Sequence, residues 1–206
     1  MRPRLKQFSI RRTITPPPST QSETGYTGIS VERIDAFVDV PPDGCNGPYQ
    51  GHPIYQSEWV GALNGSDWLE LGTGHQCSNS YQYHYWGYGY NGVWNPIGSV
   101  KIGGGEIHTY RITRGADSIW EFRIDGVIKD SFYWDRTFPS VSTGLESYAP
   151  YGNVNPYNHY HLNYQRLGNT TWNGWDGTDS TLLQNPPMCG LWNNPQSWRT
   201  GEASSC

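Results

Sequence analysis

The sequence predicts an all-β domain, a two-sheet antiparallel β-sandwich, and three observations carry that expectation. The chain holds 25 Gly, 15 Pro, 10 Trp and 15 Tyr, with only 16% charged residues. Aromatic side chains suit a pleated, half-buried surface, and Gly and Pro supply turns. The good helix formers Leu, Ala, Glu and Lys are sparse through the middle of the chain. Short runs of period-two alternation bounded by turn residues recur along its length, the pattern of many antiparallel strands.

The elements follow in order. Residues 1–28 read as a flexible arm: a basic cluster (Arg2, Arg4, Lys6, Arg11, Arg12), then Pro16-Pro17-Pro18, then a polar run with little to bury. Strand signals begin near residue 30, where Ile34, Ala36, Val38 and Val40 alternate with Arg33, Asp35, Phe37 and Asp39 until Pro41-Pro42 ends the run. Further strands are expected over 53–63 and, after the turn Asn64-Gly65-Ser66-Asp67, over 68–74. An aromatic strand is expected over 81–90. Beyond the Gly103-Gly104-Gly105 break come 107–113 and 118–125, in which Trp120, Phe122 and Ile124 share one face. Asp125-Gly126 signals a type I′ hairpin into 127–133. Strands over 141–149 and 159–167 complete a sandwich domain spanning 29–167. Residues 168–206, with Trp172, Trp175, Trp192 and Trp198 among Asn, Gly and Ser, read as a loop-rich, disulfide-tied extension packed on the sandwich.

Charge and cysteine usage narrow the function. A net charge of −4 argues against a nucleic-acid partner, which needs a basic surface. No run approaches the roughly 20 apolar residues of a membrane helix. The basic N-terminus lacks an apolar h-region, so it is not a signal peptide as it stands. Cys45, Cys77, Cys189 and Cys206 form an even set without Cys-x-x-Cys spacing, which favours two disulfides over zinc and leaves three connectivities open. Pairing of sequence neighbours, Cys45 with Cys77 and Cys189 with Cys206, is the expectation. With the sequons at Asn64 and Asn169, this points to a secreted, extracellular protein.

Two glutamates stand out. On the alternation of 68–73, Leu69 and Leu71 belong to the core, so Glu70 lies on the opposite, ligand-accessible face beside Trp68. The strand over 141–149 repeats this: Leu145 points inward, while Ser142, Gly144, Glu146 and Tyr148 point away. Gly72 and Gly144 leave room for a substrate chain to approach the backbone. Two carboxylates on one curved face supply a base and a hydrogen-bond donor, although alternation alone also fits two solvated surface glutamates. His159 and His161 share a strand face by alternation, but no third ligand accompanies them, so no metal and no cofactor is expected. Gly103-Gly104-Gly105 lacks a following Lys-Ser/Thr and reads as a turn.

The segment Trp59-Val60-Gly61 followed by Trp68-Leu69-Glu70-Leu71-Gly72 resembles a pattern of the glutamic peptidases (eqolisins), in which a Trp-Val-Gly strand precedes a Leu-Gln-Thr-Gly strand. Glu70 falls where that family's catalytic glutamine stands, and two glutamates in these places is the arrangement of the related neprosin-type peptidases. The stretch 81–90 is similar to the family's aromatic strand, and Gly144-Leu145-Glu146-Ser147 sits where the second catalytic glutamate is expected. The resemblance covers roughly 30–167. It departs in lacking an acidic residue after Trp86 and in reading Leu-Glu-Ser-Tyr-Ala for Glu-Trp-Ile-Val-Glu.

The resemblance implies a jelly-roll, concanavalin-like sandwich and a secreted acid peptidase that activates water without metal or covalent intermediate. Glu146 would be the base, Glu70 the protonated partner, and Trp68, Trp86 and Tyr148 the cleft lining; the partner would be a polypeptide. Two other readings stay open. One is a non-catalytic, lectin-like module whose aromatic rings stack on glycans, and the other a glycoside hydrolase using the same carboxylates.

Overall fold

The structure, a computed structural model, describes residues 20–40, 45–46, 55–76, 81–147, 153–154, 157–174, 181–184, 188–194 and 197–202. Among them no α-helix occurs; one 3-10 turn lies at Ala116–Ser118. In chain order the strands are β1 (Thr20–Val40), β2 (Cys45–Asn46), β3 (Tyr55–Asn64), β4 (Asp67–Gln76), β5 (Tyr81–Tyr90) and β6 (Val93–Ile102). Next come β7 (Glu106–Arg114), β8 (Ile119–Ile124), β9 (Val127–Tyr133), β10 (Phe138–Ser147) and β11 (Asn153–Val154). The last five are β12 (Tyr157–Arg166), β13 (Trp172–Gly174), β14 (Thr181–Gln184), β15 (Met188–Asn194) and β16 (Ser197–Glu202). No helix among the described residues is long and apolar enough to cross a membrane.

The two layers are joined by β1. Its first part, Thr20 to Thr27, pairs with β10 and β14; after an irregularity between Thr27 and Val31, its second part pairs with β12 and β7. One layer therefore runs β6-β5-β4-β3-β10-β1-β14, and the other β9-β8-β7-β1-β12-β16-β15. A bulge that lets one strand serve two sheets is a standard way to turn a corner in a sandwich.

The core lies between the layers and is built by alternation. Leu69, Leu71, Val60, Ala62 and Val141 come from the first layer, and Ile34, Tyr110, Ile112, Trp120, Phe122 and Ile124 from the second, each buried. Tyr88 stacks on Phe132 from one layer to the other with centroids 5.2 Å apart, and Trp120 meets Phe138 edge-on at 5.1 Å. Each large side chain so buried stabilises the fold by about 1.5–3 kcal/mol relative to leaving it exposed. The predicted hairpin turn has positive φ at both central residues, Asp125 (51°) and Gly126 (77°), as a type I′ turn requires.

Three expectations are revised. Residues 20–28, placed by sequence in the flexible arm, are strand, because β10 and β14 supply backbone partners that their polar composition does not announce. Val93–Ile102, absent from the strands expected by sequence, is β6 and carries Pro96. Pro96 is tolerated because β6 ends the layer and the ladder shifts register between Trp86 and Gly87. Within 168–206, where a loop-rich extension is expected, the described residues add β13, β14, β15 and β16 to the sheet. Trp198 of β16 is fully buried and packs on the ring of His159 at 5.0 Å. Cys189 is disulfide-bonded. Cys77 and Cys206, the side chain of Cys45, and residues 1–19 lie outside the described residues.

Candidate active site

The ladder registers decide which residues share the face away from the core. Glu70 is opposite Gly61, and Gly61 is opposite Ser142, so one row crosses β4, β3 and β10. The next rows bring Trp59 beside Gly72 and Gly144, and Leu63 beside Trp68 and Ser140. Together Trp59, Gly61, Leu63, Trp68, Glu70, Ser142 and Glu146 line a groove of about 210 Å³. Both glutamates singled out in the sequence therefore open onto one groove, with Leu69, Leu71 and Leu145 buried behind them.

The carboxylate of Glu70 is held from two sides. Trp68 donates its indole N–H to Oε2 at 3.0 Å, and the Tyr85 hydroxyl donates to Oε1 from β5. An ionised carboxylate is acceptor-only, so two donors on its two oxygens suit the charged form. Glu70 is thus arranged as a hydrogen-bond acceptor on both oxygens.

Trp68 owes its position to a missing side chain. Its ring lies flat over Gly89, where a Cβ would come within 2.0 Å of Cε3. It stacks on Trp94 of β6 with centroids 6.4 Å apart and planes 12° from parallel, and Tyr85 meets Trp94 edge-on at 6.0 Å. Gly61 has the same kind of reason: a Cβ there would sit 2.7 Å from the carbonyl oxygen of Leu69. Between Glu70 and Ser142 the groove floor is thus bare backbone.

Glu146 lies out of this row. It is four residues along β10 from Ser142 and opposite Ser57 of β3. Two strand spacings and four residues along the strand put the Glu70 and Glu146 Cα atoms roughly 16 Å apart. Two extended glutamate side chains do not close a Cα gap of that size, so the pair does not share one proton directly.

Trp86, expected in the cleft, is not there. It pairs across the ladder with Leu71, which turns it to the core side, and it is buried with its indole N–H 3.5 Å from Asp130 Oδ2. The alternation of β5 settles this: Tyr83 and Tyr85 take the groove face, and His84 and Trp86 the core face. Tyr148 lies outside the described residues. Tyr85 and Trp94 were missed by sequence reasoning. Pairing 68–74 with 81–90 as a hairpin would have put Tyr85 diagonal to Glu70, whereas Trp94 sits on the unanticipated β6.

The histidines fall into separate environments. His159 is fully buried beside Thr143, whose hydroxyl donates to the Trp59 carbonyl at 2.6 Å and lies 2.6 Å from His159 Nδ1. With the hydroxyl hydrogen so used, Nδ1 carries the proton that the Thr143 oxygen accepts. Burial pushes His159 down to about 3, so the ring is neutral. His161 is exposed, with φ of 50° and its ring edge-on to Phe37 at 5.5 Å. The two therefore do not form a ligand pair. His84, buried next to His108 and bonded to the Tyr110 hydroxyl at 2.8 Å, is pushed down to about 4 by burial and then by the His108 charge.

Comparison with known proteins adds the fold. No protein-family model and no curated protein matches the chain. Among solved structures, scytalido-glutamic peptidase with a transition-state analogue inhibitor superposes with a TM-score of 0.68 at 11% identity, over 89% of this chain and 98% of that one. The chain shares its fold with the glutamic peptidases. SCP-B, a member of the eqolisin family in complex with the tripeptide Ala-Ile-His, gives 0.64 at 10% identity, with the same shares of each chain covered. A Bacillus licheniformis β-glucanase matches at 0.44 and 17% identity over 66% of this chain and 67% of that one. At these identities the likeness is one of fold, and function is argued from the groove itself.

Proposed function

We propose that the protein is a secreted hydrolase of the glutamic-peptidase type that cleaves polypeptide with Glu70 as base and Glu146 as proton donor. The observation that carries the reading is the Glu70 carboxylate, held by Trp68 and Tyr85 and opening onto the groove that Glu146 also lines. A peptide lying across β3, where Gly61 leaves the floor open, has its scissile carbonyl within reach of a water on Glu70. Glu70 takes a proton from that water as the oxygen adds to the carbonyl carbon. Glu146 supplies the proton to the leaving nitrogen through water in the groove. The near-parallel Trp68 and Trp94 rings form a wall against which an apolar or aromatic substrate side chain packs.

The test is cleavage of an unfolded protein at acid pH by the wild-type chain, Glu70→Gln and Glu146→Gln. Loss of cleavage in both variants, with thermal stability retained, supports the proposal. Wild-type chain that leaves the substrate intact across the acid range overturns it. One observation favours a second reading: the same Trp68–Trp94 wall would stack on sugar rings. Saturable binding of a glycan that survives Glu70→Gln, without cleavage of any substrate, would establish a lectin-like module instead.

A further inference from the structure

The groove contains a buried polar atom that the two glutamates do not use. Ser142 is only 2% exposed, and its Oγ has no hydrogen-bond partner among the described residues. It lines the groove with Glu70 and faces it across Gly61 in the same row. A buried hydroxyl without a partner is destabilising, so selection for stability alone favours alanine at this position. Two strand spacings put Ser142 Cα about 10 Å from Glu70 Cα, with the bare Gly61 backbone between. A carbonyl group and a water fit in that interval, whereas Glu146 stands a further four residues along β10.

Resting on the hydrolase reading above, we infer that Ser142 is a catalytic residue: its Oγ–H donates to the substrate carbonyl oxygen and stabilises the oxyanion as water adds. Glu70 removes one proton from the water while the C–O bond forms and the carbonyl π pair moves onto the oxygen that Ser142 holds. The oxyanion then collapses, the C–N bond breaks, and the nitrogen leaves with a proton that water in the groove relays from Glu146, four residues along β10. Serine keeps its own hydrogen throughout and forms no covalent bond to substrate. The reaction consumes one water, and no other reactant is required. Pairing of β10 with β3 and β1 fixes the Ser142 backbone, and the groove opens over the buried Oγ when the substrate oxygen reaches it.

The experiment compares wild type, Ser142→Ala, Ser142→Cys and Glu70→Gln on an unfolded protein substrate at acid pH, with the thermal midpoint measured for each. Cysteine keeps the shape of serine but is a weak donor. The expected result is a kcat lower by about 100- to 1000-fold in both serine variants, with KM little changed. The thermal midpoint of Ser142→Ala should be equal to or above that of wild type, since no hydrogen bond is lost. Should Ser142→Ala fail to fold, Ser142→Cys decides. Full kcat in a folded Ser142 variant, with Glu70→Gln inactive, overturns the role of Ser142 and leaves the hydrolase reading standing. No cleavage by wild type overturns both.

Discussion

The hydroxyl of Tyr85 on β5 donates to Oε1 of Glu70 on β4, a diagonal contact between neighbouring strands that faces the groove. With the Trp68 indole on Oε2, it fixes the carboxylate in orientation as well as in position. Hydrogen bonds to a charged group contribute about 1.5–3 kcal/mol each, and 1.4 kcal/mol is a factor of ten. Tyr85→Phe keeps the ring and its packing on Trp94. We expect kcat/KM to fall about tenfold or more, and the thermal midpoint to fall by several degrees. Unchanged kinetics would show that the Glu70 orientation does not matter to turnover.

Gly61 is where the groove floor and the fold make the same demand. A Cβ there would stand 2.7 Å from backbone, the carbonyl oxygen of Leu69, and strands β3 and β4 would have to part. Gly61→Ala should lower stability by about 1–3 kcal/mol, the usual cost of overpacking, and should impair any ligand that crosses the row between Glu70 and Ser142. Denaturant unfolding checks the first part and the cleavage assay the second. A variant as stable as wild type would mean that the two strands separate freely at this point.

Two buried histidines set the acid limit of the fold. His84 is held to about 4 and His159 to about 3, both mainly by burial, against an ordinary value of 6.5. The unfolded chain therefore takes up these protons before the folded one does. Their contribution to stability is complete above about 6.5 and is lost progressively as pH falls toward 4 for His84 and 3 for His159. Asp125 works in the same direction. Burial opposes its charge, yet the Thr109 N–H and His108 outweigh that and hold its carboxyl below the usual value. The thermal midpoint should be flat near neutrality and fall steadily below about 6.5. In His159→Leu, which leaves the Thr143 hydroxyl on the Trp59 carbonyl, the slope should be shallower than in wild type. A wild-type midpoint that rises on acidification would contradict the neutral, buried state of both rings.

The sequence by itself determined the fold class, most strand positions and the face on which Glu70 and Glu146 lie. All three follow from a period of two, which is local: Leu69 and Leu71 cannot both enter the core without sending Glu70 the other way. The same rule, applied to 81–90, already separates Tyr85 from Trp86 once the hairpin register is known. Only the tertiary structure decided that register, and with it three things. Residues 20–28 became strand because β10 and β14, distant in sequence, supply their backbone partners. Trp94 came to stack on Trp68 because β6 pairs with β5 despite Pro96. The residue facing Glu70 across Gly61 is Ser142 and not Glu146, since pairing of β10 with β3 is set by long-range packing and turn geometry, to which alternation is blind beyond odd and even.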